Sequence, residues 1–419
     1  MTKLSSMADS MTGSEIVRLG NEISARIRNG ETIYNYTIGD FNSHIFPIPA
    51  LLEHLIIEAY KEQYTNYPAA EGILELRQAV AQFIKERQGL EYGVNEIQVA
   101  SGGRPLIYTL FRTVADAGDK IMYAVPSWNN NHYTHLNGAQ HIAIETSPEN
   151  NFMPTANDIA PHLNGATLLC LCTPQNPTGT TLGKEELEKI CHLVMEENGR
   201  RNKGEKKLYV MFDQMYGALT YGDTRHYNPV SLVPAMRDYT IFIDGISKVF
   251  AATGVRVGWS FGPAPVIAKM KAFLSHIGAW APTAEQHATA RFLPNTKAVD
   301  EFLIPFKKAI ETRLRRIYNG FMELKDKGFP VDAVVPQAAI YLTIQINLAG
   351  KKTKDGRLLA TQSDVTDYIL SEAKLAVVPF YAFGAGTQSP WYRLSVGTCT
   401  EAELESMLGK LQQALEQLQ

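Results

Sequence analysis

Cysteine is scarce in this sequence, with four thiols among 419 residues. Cys170 and Cys172 share the apolar run Thr167–Cys172, where alternate strand residues point to one face and a bridge between them would be strained. Cys191 and Cys399 are remote and lack metal-ligand spacing, so all four are expected to be reduced packing residues and no metal site is expected. An excess of charge of one sign is also missing. A net charge of −3 and a pI near 6.4 recruit neither nucleic acid nor an anionic membrane surface. No run approaches transmembrane length, and the N-terminus MTKLSSMADSMTG lacks the apolar core of a signal peptide, so a cytoplasmic protein is expected. Internal repeats and low-complexity segments are absent as well. The ten histidines are scattered, and His132 and His135, the closest pair, read as solvated or packed.

What is present is an ordinary globular composition, 45% apolar and 20% charged, at a length that suggests two domains. Apolar spacing at Ile16, Leu19, Ile23 and Ile27 predicts a helix over Gly13–Arg28, stopped by Gly30. A short strand is expected at Ile33–Ile38, then helices at Leu51–Gln63 and Gly72–Gln88. Seven short β-rich runs follow, at Ile97–Ala100, Lys120–Val125, His141–Ile144, Thr167–Cys172, Leu208–Phe212, Thr240–Ile243 and Gly258–Phe261, most of them separated by helical patterns such as Lys184–Glu196. This alternation argues an α/β protein with a mostly parallel, seven-stranded sheet covered on both faces. After about residue 300 the character changes to a long helix Glu301–Lys327, a run Ala339–Ile346, a helix near Ser363–Ala373, a strand Ala376–Pro379, the run Tyr392–Val396 and a closing helix Glu401–Leu418. A large domain over 45–300 is therefore expected, with a smaller α+β domain built from 1–44 and 301–419.

Ligands of parallel sheets sit beyond the carboxyl ends of the strands, so the loops there carry the chemistry. In DGISKVFAATGVRVGW, Asp244–Trp259, Lys248 and Arg256 lie eight residues apart. A lysine at a strand end in a partly desolvated pocket loses its proton near neutral pH and attacks an aldehyde, although a lysine there also reads as solvated surface. An arginine beside it holds a phosphate bidentately, and small residues let backbone approach a ligand. Ser101-Gly102-Gly103-Arg104 opens a helix after Val99-Ala100 and suits a phosphate, or is a plain tight turn. Trp128 offers a flat face to a planar heterocycle, or packs. Two prolines in Thr173–Gly179 fix the loop and present Asn176 rigidly to a ring oxygen or a carboxylate. Asp213 ends an apolar strand and is costly to desolvate unless it meets a cation such as a protonated pyridine nitrogen; Tyr216 follows to bond a ring oxygen. Taken together in successive strand-end loops, these residues argue one site.

With NPTG at Asn176–Gly179 and SKVFAATGVRVG at Ser247–Gly258, the sequence resembles the class I/II aminotransferases, and their aspartate-aminotransferase-like members in particular, from Ile33 to the final helix. These are fold-type I enzymes dependent on pyridoxal 5′-phosphate (PLP). The resemblance implies Lys248 as the Schiff-base lysine, Arg256 and the Ser101–Arg104 turn with Gly102 and Gly103 on the phosphate, Ser247 beside them, and Trp128 stacked on the ring. It implies Asp213 on the pyridine nitrogen and Asn176 and Tyr216 on the ring oxygen. Tyr67 resembles the tyrosine that reaches the phosphate of the other subunit, which implies a homodimer with shared sites. Arg393 in WYRLSVG resembles the arginine that clamps the substrate α-carboxylate, and Ile38-Gly39 the loop that closes over the substrate. Two departures stand out. Gln214 follows Asp213 where a glutamate is common, a change expected to act one layer away from the cofactor. Gly245 stands where many relatives carry a phosphate-binding serine, leaving that contact to Ser247, Arg256 and backbone amides.

The implied reaction is reversible transfer of the amino group of an L-amino acid, aspartate favoured, to a 2-oxo acid such as 2-oxoglutarate. Arg104 is the candidate for the distal carboxylate, with a solvated or phosphate-side arginine as the alternative. Arginine is absent from Gly278–Gln286, where another aspartate-specific branch places one. Tyr34, Tyr36, Phe41, Trp280 and Tyr381 leave an aromatic substrate open, as an alanine-type donor is, and a PLP-dependent carbon–sulfur lyase would share every cofactor residue.

Overall fold

The strand Ala166–Cys172 shows how the larger part of the chain is built. Leu169 and Leu171 belong to a core with Leu187, Ile190 and Val210 on one side of the sheet, and Leu168 and Cys170 to a core with Leu106, Met211 and Ile241 on the other. A strand apolar on both faces is stable only where helices cover both. Here Leu74–Gln88 and Lys184–Arg200 cover the first face, and Gly103–Val114 and Ala264–Ile277 the second. Each large side chain so buried contributes about 1.5–3 kcal/mol.

The computed structural model describes residues 4–419; Met1–Lys3, at the head of the segment read as lacking a signal peptide and of the expected smaller domain, lie outside the described residues. The chain forms two compact units, one of 43–309 with 337–339, the other of the chain up to Asn42 with 310–336 and 340–419.

In the larger unit the sheet has seven strands in the order Ile97–Ala100, Gly258–Phe261, Thr240–Gly245, Tyr209–Asp213, Ala166–Cys172, Lys120–Val125 and Gln140–Glu145. Gly258–Phe261 runs antiparallel to both neighbours, and the remaining pairs are parallel. The carboxyl ends at Ala100, Val125, Cys172, Asp213 and Gly245 therefore share one edge of the sheet. The helix Leu74–Gln88 ends at Gly89, whose φ of 69° gives the left-handed cap that glycine adopts without strain.

The smaller unit holds a four-stranded antiparallel sheet, in the order Val378–Pro379, Trp391–Ser395, Tyr341–Ile346 and Val331–Ala333, and a parallel pair of Tyr34–Asn35 with Leu375–Ala376. The helix Glu15–Arg28 belongs to this unit, its buried Ile23 packed with Leu370 and Ala376. Two expectations are corrected. The unit boundary falls between 309 and 310, inside the helix Thr296–Asp326, rather than at 300/301. Phe302 and Phe306 of its first half pack on Phe250 and Phe46, which holds that half in the larger unit. The first boundary lies at 42/43 rather than 44/45, and 337–339 return to the larger unit, where the Ala338 N–H donates to the Gly179 carbonyl at 2.9 Å. Among the described residues no helix is long and apolar enough to cross a membrane.

Candidate active site

The strand Tyr209–Asp213 delivers Asp213 between Cys172 and Ile243 of its parallel neighbours. The Met215 N–H donates to Asp213 Oδ1 at 3.1 Å, and burial pushes the carboxyl up to about 6. No described residue forms an ion pair with it. A buried carboxyl bonded by one amide is stabilised most by a cation brought to it. Tyr216, nearly fully buried, sits in the turn that follows, where the Leu219 N–H donates to its carbonyl at 2.8 Å.

Thr240–Gly245 leads into the short helix Ile246–Val249, which carries the buried Ser247 and the half-buried Lys248. Arg256 adopts a left-handed conformation, φ 64°, and donates through Nη1 to the Thr253 carbonyl at 2.7 Å and through Nη2 to the Ser101 carbonyl at 2.8 Å. The lysine segment and the Ser101–Gly103 turn thus meet at one point, at the start of the helix Gly103–Val114. Three glycines allow it. A Cβ on Gly258 would stand 2.7 Å from the Gly102 carbonyl carbon, and one on Gly245 would stand 2.8 Å from Gly258 Cα. A side chain at position 245 would therefore have to push backbone atoms apart.

Trp128 is half-buried and Arg104 exposed, the guanidinium carbon 5.3 Å from the indole centroid. The Trp128 loop is tied to the Asn176 loop by Gln175, whose Nε2 donates to the Pro126 carbonyl at 2.8 Å. Gln175 in turn accepts from Thr178 Oγ1 at 3.0 Å, and its N–H donates to the Thr180 carbonyl at 2.9 Å. Asn176 is buried within this braced loop. Tyr67 stands apart, 89% exposed, with its ring edge-on to Trp280 at 5.5 Å.

In the smaller unit Arg393 is buried, with Nη2 donating to the Thr37 carbonyl at 2.6 Å. Its guanidinium lies 4.8 Å from the ring centroid of Tyr341 and 4.9 Å from that of Phe383. A Cβ on Gly39 would come 3.5 Å from Arg393 Nη1, so the Ile38-Gly39 loop lies beside the arginine. Two of the aromatic residues read as substrate-side have structural places instead: Tyr36 is fully buried, and the Tyr34 hydroxyl is bonded to Ser406 Oγ.

Behind Asp213 lies a polar group of which the sequence marked only Gln214. Gln214 Nε2 donates to Asp244 Oδ2 at 2.9 Å and to Gln88 Oε1 at 3.1 Å, while Gln214 Oε1 lies 3.2 Å from His226 Nε2. Burial pushes Asp244 up to about 7 and holds His226 down to about 4. Asp244 ends an apolar run as Asp213 does, a signal available in the sequence; His226 carries none.

A family model described as aminotransferase class I and II matches residues 33–411. The aspartate aminotransferase of Bacillus sp. strain YM-2 is 30% identical over 349 residues, 83% of this chain and 82% of that protein. Among solved structures, the aspartate aminotransferase from Rhizobium meliloti superposes with a TM-score of 0.90 over 100% of both chains at 24% identity, a likeness of fold. The Thermus thermophilus aspartate aminotransferase with maleate superposes with a TM-score of 0.88 at 26% identity, over 99% of this chain and 100% of that one. With the family model spanning nearly the whole sequence, this chain belongs to the class I and II aminotransferases.

Proposed function

We propose that the chain is a PLP-dependent aminotransferase that moves the amino group of an L-amino acid, aspartate first, to a 2-oxo acid such as 2-oxoglutarate. The observation that carries this reading is Asp213, a buried carboxyl at a strand end with burial raising it to about 6, beside a glycine cradle that a Cβ would fill. PLP fits this set. Asp213 would face the pyridine nitrogen; the Gly102 and Gly103 turn, Ser247 and Arg256 would hold the phosphate; Trp128 would cover the ring, and Asn176 and Tyr216 would serve its oxygen. When bound, the cofactor supplies an electron sink for the charge that develops at the substrate α-carbon.

The residues of the chain do the rest. The Asp213 carboxylate would favour a protonated ring nitrogen by charge pairing. Lys248 Nζ takes the α-proton and returns it, acting as base and then as acid. Arg393 receives the α-carboxylate with its planar fork, under the Ile38-Gly39 loop. Arg104 takes the distal carboxylate; the maleate in the Thermus relative, a dicarboxylate, favours a dicarboxylic substrate without naming the residue that meets it. Tyr67, 89% exposed in the single chain, would reach the phosphate of a second copy in a homodimer with shared sites, and the compartment proposed is the cytoplasm.

The test is a single-turnover spectrum of the PLP-loaded protein with L-aspartate, L-tyrosine, L-alanine or L-cysteine and no oxo acid. Conversion to the pyridoxamine form with aspartate supports the reading; conversion with tyrosine or alanine alone moves the donor. Persistence of the aldehyde form while pyruvate and ammonia accumulate from cysteine makes the chain a carbon–sulfur lyase.

A further inference from the structure

Behind the strand ends at Asp213 and Gly245, the larger unit holds a cavity of about 510 Å³, room for one small organic molecule. Gln214, His226 and Asp244 line it, and none of them is used by the proposed reaction. Phe83, Trp259 and Leu303 give it apolar walls. Asp244 is the one residue of the strand Thr240–Gly245 that is only partly buried, because it faces this space.

Asp244 decides what fits. Its oxygens are bonded by neutral donors, Gln214 Nε2 at 2.9 Å and the Gly245 N–H at 2.7 Å. The charged and titratable groups around it do not neutralise it. Asp213 repels it, and burial keeps His226 neutral, down to about 4. Arg87, at the rim, is paired with Asp300 at 2.7 Å, and Lys307 also stands on the lining. The donors bonded to Asp244 are neutral and its near neighbour Asp213 is a second carboxyl, so a cation at the Asp244 oxygens is favoured, and aromatic walls favour one with little hydration of its own.

We propose that this cavity is a second ligand site, which takes a small organic cation, an ammonium centre on an apolar body, seated against Asp244 and its aromatic walls. The site is coupled to the first. Gln214, which grips Asp244, follows Asp213 in the chain, and Asp244 lies four residues before Lys248. An occupant therefore changes the charge beside Asp213. The proposal does not depend on which amino acid is the donor.

The test uses the full-length PLP-loaded protein and benzyltrimethylammonium, whose quaternary nitrogen cannot condense with an aldehyde. Isothermal titration should show one probe per chain, binding more tightly as pH rises through about 7, where Asp244 loses its proton. Asp244→Asn should weaken binding about tenfold or more, and benzyl alcohol, which lacks the charge, should bind weaker than the probe by a similar factor. Ala218→Trp, at an exposed position on the lining, should block the cavity with Asp244 intact, and it decides the matter if Asp244→Asn does not fold. Absence of binding to the wild type, or binding that Ala218→Trp leaves unchanged, overturns the proposal.

Discussion

Arg256 Nη2 donates to the carbonyl of Ser101 at 2.8 Å across 155 residues of sequence, joining the lysine segment to the helix start that would hold the phosphate. Arg256→Lys keeps the charge and loses the fork that bonds Ser101 and Thr253 together. PLP affinity should fall by about tenfold to a hundredfold, the worth of one charge-assisted bond. Titration of the apoprotein with PLP measures it; unchanged affinity would remove Arg256 from the phosphate side.

Gly245→Ser restores the residue common among relatives and should still harm this protein. The new Cβ would meet Gly258 Cα at 2.8 Å and the Val257 carbonyl oxygen at 2.9 Å, backbone atoms that cannot step aside. Unfolding by urea should show a loss of about 2 kcal/mol with no gain in PLP affinity.

The raised carboxyl of Asp244 gives the apoprotein a pH-dependent cost. Its folded value, about 7, lies above the ordinary 3.8, so its contribution is fully present below the ordinary value and is lost as pH rises through about 7. Asn does not titrate. Asp244→Asn should therefore gain on the wild type between those two pH values, by on the order of 4 kcal/mol at the upper end. Comparing the two proteins cancels the opposing titration of His226, which burial holds down to about 4. A stability difference flat in pH contradicts the account.

Arg104→Gln separates two uses of one side chain. If Arg104 meets the distal carboxylate, kcat/KM for aspartate should fall by at least about tenfold while that for alanine holds. A role confined to its place 5.3 Å from the Trp128 centroid would lower both donors together.

The strands buried on both faces were the most legible part of the sequence. Ile97–Ala100, Lys120–Val125 and Gly258–Phe261 form with the boundaries read from their apolar runs. The expected strand Ile33–Ile38 shortens to Tyr34–Asn35 because its pairing is limited to Leu375–Ala376. Val331–Ala333 escaped notice because it is three residues long, follows Pro330 and carries Asp332. The strand-end residues around Lys248 were readable because each follows an apolar run. The Gln88, Gln214, His226 and Asp244 group was not, since its members are joined by folding rather than by spacing, and the cavity they line has no pattern in the chain.

The central claim is that Lys248 Nζ moves the substrate α-proton. Deuterium loss from the α-carbon of [2-²H]-L-aspartate, followed by NMR in ordinary water, tests it with PLP-loaded wild type and Lys248→Ala. The account predicts rapid loss with wild type and, in the variant, bound PLP with exchange slower by more than about a thousandfold. Exchange by Lys248→Ala at the wild-type rate would contradict it.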